Sequence, residues 1–449
     1  MIKRITLTNF RAFKRQTFAL KKINIFVGKN NSGKSSALSA LNLIAQTINE
    51  DELDGTPLIL NGLYDQLGTF IDVVNGNHPR RKIGISIEFD SNSVDLEFKY
   101  RTQRRQIELS NFELRRKGDS LYRYTQRKDA YDIYIGGKQF ENLLPNTKKT
   151  RPRFRNFWPF AAATYLRSKT PDISEAVYQQ LREVDKGLYL ARSSLMEYFT
   201  NFDSLSPFRD KPQRTYLYSG ETARRVGTSG TNTAVMLSSD SARRGSERRN
   251  LIDGISNWFH YTGIAQGLSV ENLTPRHFEL CLVSNDGTKH NICDVGFGCS
   301  QVLPVLTAGL NLFHSGTRSE RRILVIQEPE IHLHPNAQAA MGSFFVNLAG
   351  RGGQIFLETH SDNLILRVAR HVALGDIDPS DVAIFHVSDI GENRVTAINL
   401  SPTGSFRPDF PEGFFPQRQS ESLMLARAAM DRREGRQPEL SFEYPENNK

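Results

Sequence analysis

Eight residues near the amino terminus, Gly28-Lys29-Asn30-Asn31-Ser32-Gly33-Lys34-Ser35, constrain this chain more than any other feature. They satisfy the spacing Gly-x4-Gly-Lys-[Ser/Thr]. The apolar run 23–27 before them reads as a buried strand and 36–48 after them as a helix, the order that a phosphate-cradling loop requires. Without that context the same glycines would make an ordinary connection. Glycines at 28 and 33 allow successive backbone N–H groups to turn inward, and a helix beginning near Lys34 offers its positive end to an anion. The motif therefore predicts an ATP cradle built from Gly28, Asn30, Asn31, Ser32, Gly33, Lys34, Ser35 and Ser36. In it Lys34 reaches the β- and γ-phosphates and Ser35 meets Mg²⁺.

Four later segments occur in an order that adds to this one. Ile323-Leu324-Val325-Ile326-Gln327-Glu328-Pro329-Glu330 is an apolar run ending in acids, which suits a buried parallel strand presenting carboxylates at its carboxyl end. Before it, Asp294-Val295-Gly296-Phe297-Gly298-Cys299-Ser300-Gln301-Val302-Leu303-Pro304 is a small-residue turn opening an apolar helix. After it, Ile355-Phe356-Leu357-Glu358-Thr359-His360-Ser361 reads as a short strand with a polar end, and near the start stands Leu7-Thr8-Asn9-Phe10-Arg11-Ala12-Phe13.

Taken together, these segments resemble the ABC-type ATPases of the OLD, RecF and SMC-like group, which occur in prokaryotic antiphage defence and DNA maintenance. The resemblance implies an α/β fold: an ABC-type P-loop ATPase head, with a mixed sheet and helices, an antiparallel β subdomain and a short helical insertion. It implies that Glu328 polarises the attacking water, that His360 is a switch histidine near the γ-phosphate, and that Lys34 completes the catalytic set. Ser300 would contact ATP held by a second subunit, and Arg11 would approach the nucleotide unless it is a surface cation. His334 falls where the family has its D-loop aspartate. Gln327 occupies the place of the family's Mg²⁺-associated aspartate, and a neutral amide brings no charge to the cation; slow turnover is the expected consequence. Gln66 is the candidate Mg²⁺-sensing glutamine, with Asp65 and Asp72 as rivals.

The same resemblance implies a homo-oligomer with composite ATP sites. It would act as a sensor or scaffold that controls a separate effector, a nuclease encoded nearby. The alternative is a DNA repair or maintenance ATPase without an effector. OLD nucleases carry a TOPRIM domain with an Asp-x-Asp pair at a strand end. After His360 the strand-like Val382-Ala383-Ile384-Phe385-His386-Val387 is followed by no such pair, while Asp376-Ile377-Asp378 precedes it and reads as a loop, so a TOPRIM nuclease site is not expected.

A chain of 449 residues can bury a large core and form two or three domains. The expected division is 1–165 as an amino-terminal lobe with the phosphate loop and a basic antiparallel region over 82–134, 166–265 as a helical insertion and mobile loop, and 266–449 as a carboxyl-terminal lobe. Within the insertion, Val177, Leu181, Val184, Leu188 and Leu195 predict a helix over 173–202, and the Ser, Thr, Gly and Arg-rich stretch 222–249 predicts a loop. No run approaches the roughly 20 apolar residues of a membrane span. With Cys281, Cys293 and Cys299 in no zinc-like spacing, a cytoplasmic protein without membrane contact is expected. The formal charge is +9, and residues 101–155 hold 15 Lys and Arg against 6 Asp and Glu. Arg101, Arg104, Arg105, Arg115, Arg116, Lys117, Lys148, Lys149, Arg151, Arg153 and Arg155, interleaved with Phe154, Phe157 and Trp158, suit DNA phosphates with aromatics for stacking. An acidic protein partner or a plain solvated face would use the same residues.

Overall fold

A computed structural model describes residues 1–50, 55–127, 130–139, 152–160, 174–314, 321–388 and 394–410. The basic residues Lys148, Lys149 and Arg151 lie outside the described residues. Two large sheets organise the rest. The first is antiparallel, with eight strands in the order Phe13–Ala19, Ile2–Phe10, Ile83–Phe89, Asn92–Arg101, Gln106–Arg116, Asp119–Gln126, Tyr131–Ile135 and Lys138–Gln139. Its strands alternate, as in Ile83–Phe89, where Ile83, Ile85, Ile87 and Phe89 are buried and the residues between them partly exposed. One face is therefore packed and the other wet.

The second sheet has seven strands in the order Phe202–Leu205, Ile323–Gln327, Gln354–Glu358, Ile23–Gly28, Val382–Val387, Val395–Leu400 and Phe406–Arg407. The first five are parallel and the last two antiparallel. The parallel strands read as unbroken apolar runs because both faces are covered. Phe26, Ile323, Val325, Phe356 and Phe385 point into a core shared with the antiparallel sheet and the helices Lys34–Glu50 and Glu175–Thr200. Ile23, Ile25, Leu324, Ile326, Ile355 and Leu357 point the other way, onto the helices Leu251–Thr262, Phe297–Leu312, Pro335–Ala349 and Asp362–Leu374. The helix Lys34–Glu50 lies between the two sheets, so nearly every position from Ser36 to Ile48 is buried.

The expected helix in the middle of the chain is Glu175–Thr200, capped by the Ser174 hydroxyl accepting from the Val177 N–H. Leu181, Val184, Leu188 and Leu195 form its buried stripe. The expected loop 222–249 is corrected: it contains the helix Thr233–Ala242, whose Ala234, Met236 and Leu237 are buried in the second core. Asp240 then accepts the backbone N–H groups of Arg249 and Leu251, which ties the end of that stretch to the next helix. Among the described residues, no helix is long and apolar enough to cross a membrane.

Candidate functional site

The loop 28–35 follows the central strand Ile23–Gly28 directly. Gly28 and Gly33 have φ of 139° and 111°, and Asn31 is left-handed at 62°. A Cβ on Gly28 would lie 2.1 Å from the Val387 carbonyl oxygen, and one on Gly33 would lie 2.5 Å from the Ala12 Cβ. Both glycines are thus required by backbone conformation and by close approach. Gly28→Ala is expected to lower stability by about 1–3 kcal/mol through strain alone, measurable as a reduced denaturant midpoint, and an unchanged midpoint would contradict this packing. Within the loop the Ser32 hydroxyl is fully buried and has no partner. A buried polar atom of that kind is what a phosphate-binding cradle leaves open.

Lys34 is 3% exposed, and its Nζ donates to the carbonyls of Gly28 at 3.1 Å and Lys29 at 2.8 Å. Burial pulls its pKa down, against the opposing charges of Glu358, Glu328 and Glu330. The Ser35 hydroxyl donates to Glu358 Oε1 at 3.0 Å. The glycine cradle, a buried ammonium and a hydroxyl beside a carboxylate fit the triphosphate and divalent cation that the motif predicts.

Strand register assembles the rest. Gln327 pairs with Glu358, and Glu358 with Phe26, so the carboxyl ends of three adjacent strands finish side by side. The Glu328 N–H donates to the Glu358 carbonyl at 2.7 Å, and the Thr359 N–H to that of Phe26 at 3.1 Å. Glu328 is left-handed, with φ of 49°, an uncommon conformation that the surrounding bonds must hold. Arg209 supplies two of them: its Nη2 donates to the carbonyls of Gln327 at 2.8 Å and Glu328 at 3.1 Å. Burial lowers the Arg209 pKa to about 10 despite Glu330 and Glu328 nearby. Buried Glu330 accepts the His360 N–H at 2.6 Å, which fixes the loop after the next strand. Burial first, then the Lys34 charge, holds the His360 imidazole below its ordinary pKa, with Glu328 opposing. Lys34, Ser35, Gln327, Glu328 and His360 are therefore one neighbourhood. Glu358, Glu330 and Arg209 belong to it as well, although none was singled out from the sequence.

The other expected residues lie around this centre. Gly298 packs so closely on the turn after Glu328 that a Cβ there would stand 2.4 Å from the His332 carbonyl oxygen. The Phe297 ring, 45% exposed, meets the His332 ring edge-on at 5.1 Å. Ser300 is buried, its hydroxyl donating to the Phe297 carbonyl at 2.8 Å within its own first helical turn. Arg11 donates to Ser39 at 3.3 Å, on the helix that follows the phosphate loop. Gln66 is exposed, and its amide donates to the Gly62 carbonyl at 2.8 Å in the same turn. Of its rivals, Asp72 accepts from the N–H and the hydroxyl of Thr69, both at 2.7 Å. Asp65 faces Ser39, Asn42 and Arg11, which partly offset the burial that raises its pKa.

The basic segment is more dispersed than its sequence suggests. Arg115 pairs with Asp95 and, at 2.5 Å, with Glu113, while Arg101 pairs with Glu108 at 2.9 Å. Arg104 and Arg105 lie exposed in the turn at one end of the strand Gln106–Arg116, and exposed Arg116 and Lys117 lie at the other. At about 3.3 Å per residue the two ends are roughly 30 Å apart. The expectation of stacking aromatics is corrected. Phe157 and Trp158 are 1% and 4% exposed, and Phe154 packs on Tyr124 with ring centroids 5.0 Å apart.

Comparison with known proteins adds a family match. The family model described as "AAA domain, putative AbiEii toxin, Type IV TA system" matches residues 23–367, from the strand before the phosphate loop to the helix after His360. No curated protein matches the sequence. Solved structures to which the chain is similar include an SmcHead bound to the C-winged helix domain of ScpA (12% identity, 89% of this chain and 97% of that chain, TM-score 0.41). Two others are the SMC head domain from Thermotoga maritima (8%, 89% and 99%, 0.38) and the Smc head with an extended coiled coil from Pyrococcus furiosus (12%, 95% and 99%, 0.38).

Proposed function

The chain belongs to this AAA-domain family and has a mixed α/β fold, and on that premise we propose that it is an ABC-type P-loop ATPase head that binds and hydrolyses ATP at composite sites formed between copies of itself. The observation that carries the reading is the convergence of Lys34, Ser35, Glu328 and His360 at the carboxyl ends of neighbouring parallel strands. Lys34 and the loop N–H groups hold the β- and γ-phosphates, and Ser35 faces Mg²⁺. Mg²⁺ held beside Ser35 would supply positive charge against the phosphates. Glu328 orients and deprotonates the attacking water, and the imidazole of His360 lies beside the γ-phosphate. The neighbouring copy closes the site with residues 294–296 and the helix Phe297–Leu312, whose Ser300 meets the γ-phosphate once its hydroxyl is released from the Phe297 carbonyl.

Closure that depends on the γ-phosphate and is released by hydrolysis makes ATP the bias on a two-state assembly. In this reading the assembly is a sensor or scaffold in antiphage defence that restrains a separate nuclease. Native mass measurement of the protein coexpressed with its genomic neighbours, with and without ATP and Mg²⁺, tests it. An ATP-dependent complex of two or more copies with a nuclease is the expected result, and an ATP-indifferent monomer overturns the reading.

Exposed Arg116 and Lys117, adjacent where the strand Gln106–Arg116 runs into its turn, favour a second reading in which the same ATPase acts directly on DNA. Neutralising both is then expected to weaken DNA binding and flatten the slope of log affinity against log salt by about 1.8, at about 0.9 per lost phosphate contact. An unchanged slope removes this turn from any DNA interface.

A further inference from the structure

The apparent defect of the site is Gln327, a neutral amide at a strand end where a cation-binding carboxylate is expected. Directly across the sheet, in register, stands Glu358. Its side chain turns back towards the phosphate loop, and it is 6% exposed. Glu358 Oε1 accepts from the Ser35 hydroxyl at 3.0 Å and lies 3.9 Å from Lys34 Nζ, and Oε2 accepts from the Gln327 amide at 3.3 Å. The carboxylate missing at 327 is thus present one strand over, between the two groups expected to meet the cation.

We propose that Glu358 is the acidic group of the divalent-cation site, acting with Ser35 and with Gln327 as its positioning amide. This rests on the ATP-binding reading above and goes beyond it by assigning the charge. Three features of the geometry support it. A hard divalent cation takes oxygen donors and is held by one or two carboxylates together with substrate phosphates rather than by a protein cage. Gln327 donates its amide N–H to Glu358, which orients the carboxylate and leaves the amide oxygen available to a metal-bound water, the arrangement by which outer groups tune a metal ligand. Buried Glu358 has the Lys34 ammonium 3.9 Å away, and a divalent cation arriving with ATP would place a second positive charge beside the same carboxylate.

The exchange of roles between neighbouring strands gives the test. ATP affinity is measured by calorimetry with Mg²⁺ and again in EDTA, and the ratio of the two affinities is compared among variants. Mn²⁺ bound to the protein–ATP complex is counted by electron paramagnetic resonance as a readout independent of turnover. Glu358→Gln is expected to cut the cation-dependent gain by about 10- to 100-fold and to lose bound Mn²⁺. Gln327→Asp combined with Glu358→Gln returns a carboxylate to the neighbouring strand and is expected to restore both. A Glu358→Gln protein that keeps the full gain and its Mn²⁺ overturns the proposal while leaving the ATP reading intact. If Glu358→Gln does not fold, the double variant decides: restored cation dependence supports the exchange, and its absence overturns it. Wild-type protein that binds no ATP under either condition overturns the ATP reading itself, and this assignment with it.

Discussion

Lys34→Ala should abolish measurable ATP turnover, by at least about 10²–10³-fold, the usual cost of removing one preorganised donor from a developing charge. Lys34 is buried, and its ammonium is held by the carbonyls of Gly28 and Lys29 with Glu358 beside it. Replacing it by alanine takes the cation from the phosphate site and leaves buried Glu358 without its neighbouring ammonium, so a loss of stability is expected beside the loss of turnover. Steady-state hydrolysis and nucleotide binding on the same preparation, with a melting curve as control, separate the two effects. Near-normal turnover in a folded variant would refute the nucleotide assignment.

Much of the site was legible because its pieces are contiguous. A phosphate loop is one run of backbone, so the glycines at 28 and 33, Lys34 and Ser35 could be read from spacing, and their φ values and close approaches agree with that reading. Short apolar runs such as Val382-Ala383-Ile384-Phe385 likewise announced strands, here Val382–Val387. What spacing could not show was which strand ends meet. Glu358 is separated from Gln327 by a helix and becomes its partner only through parallel register, so a site short of one charge in sequence is supplied in space. Arg209 was hidden for the same reason: it lies in a loop after the edge strand Phe202–Leu205, which pairs beside Ile323–Gln327 and brings it under the Glu328 turn. A better signal existed in the neutral Gln327 itself, since a missing charge invites a search for a compensating acid at neighbouring strand ends. The helix Thr233–Ala242 was obscured by its serines and threonines, and packing of Ala234, Met236 and Leu237 outweighed that weak propensity. In the basic segment, composition concealed direction: Phe157 and Trp158 face the core, so the aromatics among the arginines are packing residues.

Glu328→Gln should separate hydrolysis from closure. The glutamate is only partly buried, sits in a left-handed turn, and has its backbone fixed by Glu358 and Arg209 independently of its carboxylate. The amide is nearly isosteric, so the turn and its contacts with Gly298 through His332 should persist. What disappears is the base that takes a proton from the attacking water, a contribution of about 10²–10⁴-fold. His360 does not replace it readily. Its backbone is held by Glu330, and its ring lies in the field of Lys34; removal of the Glu328 charge, which now opposes that field, leaves the imidazole harder still to protonate. The variant should therefore bind ATP, associate through the start of the helix Phe297–Leu312 of a second copy and remain closed. Size-exclusion chromatography with light scattering would show an ATP-dependent oligomer that outlasts the wild-type one, while phosphate release falls to background. Normal phosphate release would remove Glu328 from catalysis. Loss of hydrolysis without a longer-lived oligomer would instead show that γ-phosphate contacts do not hold the copies together, and the two-state mechanism would fail even though the ATPase assignment stood.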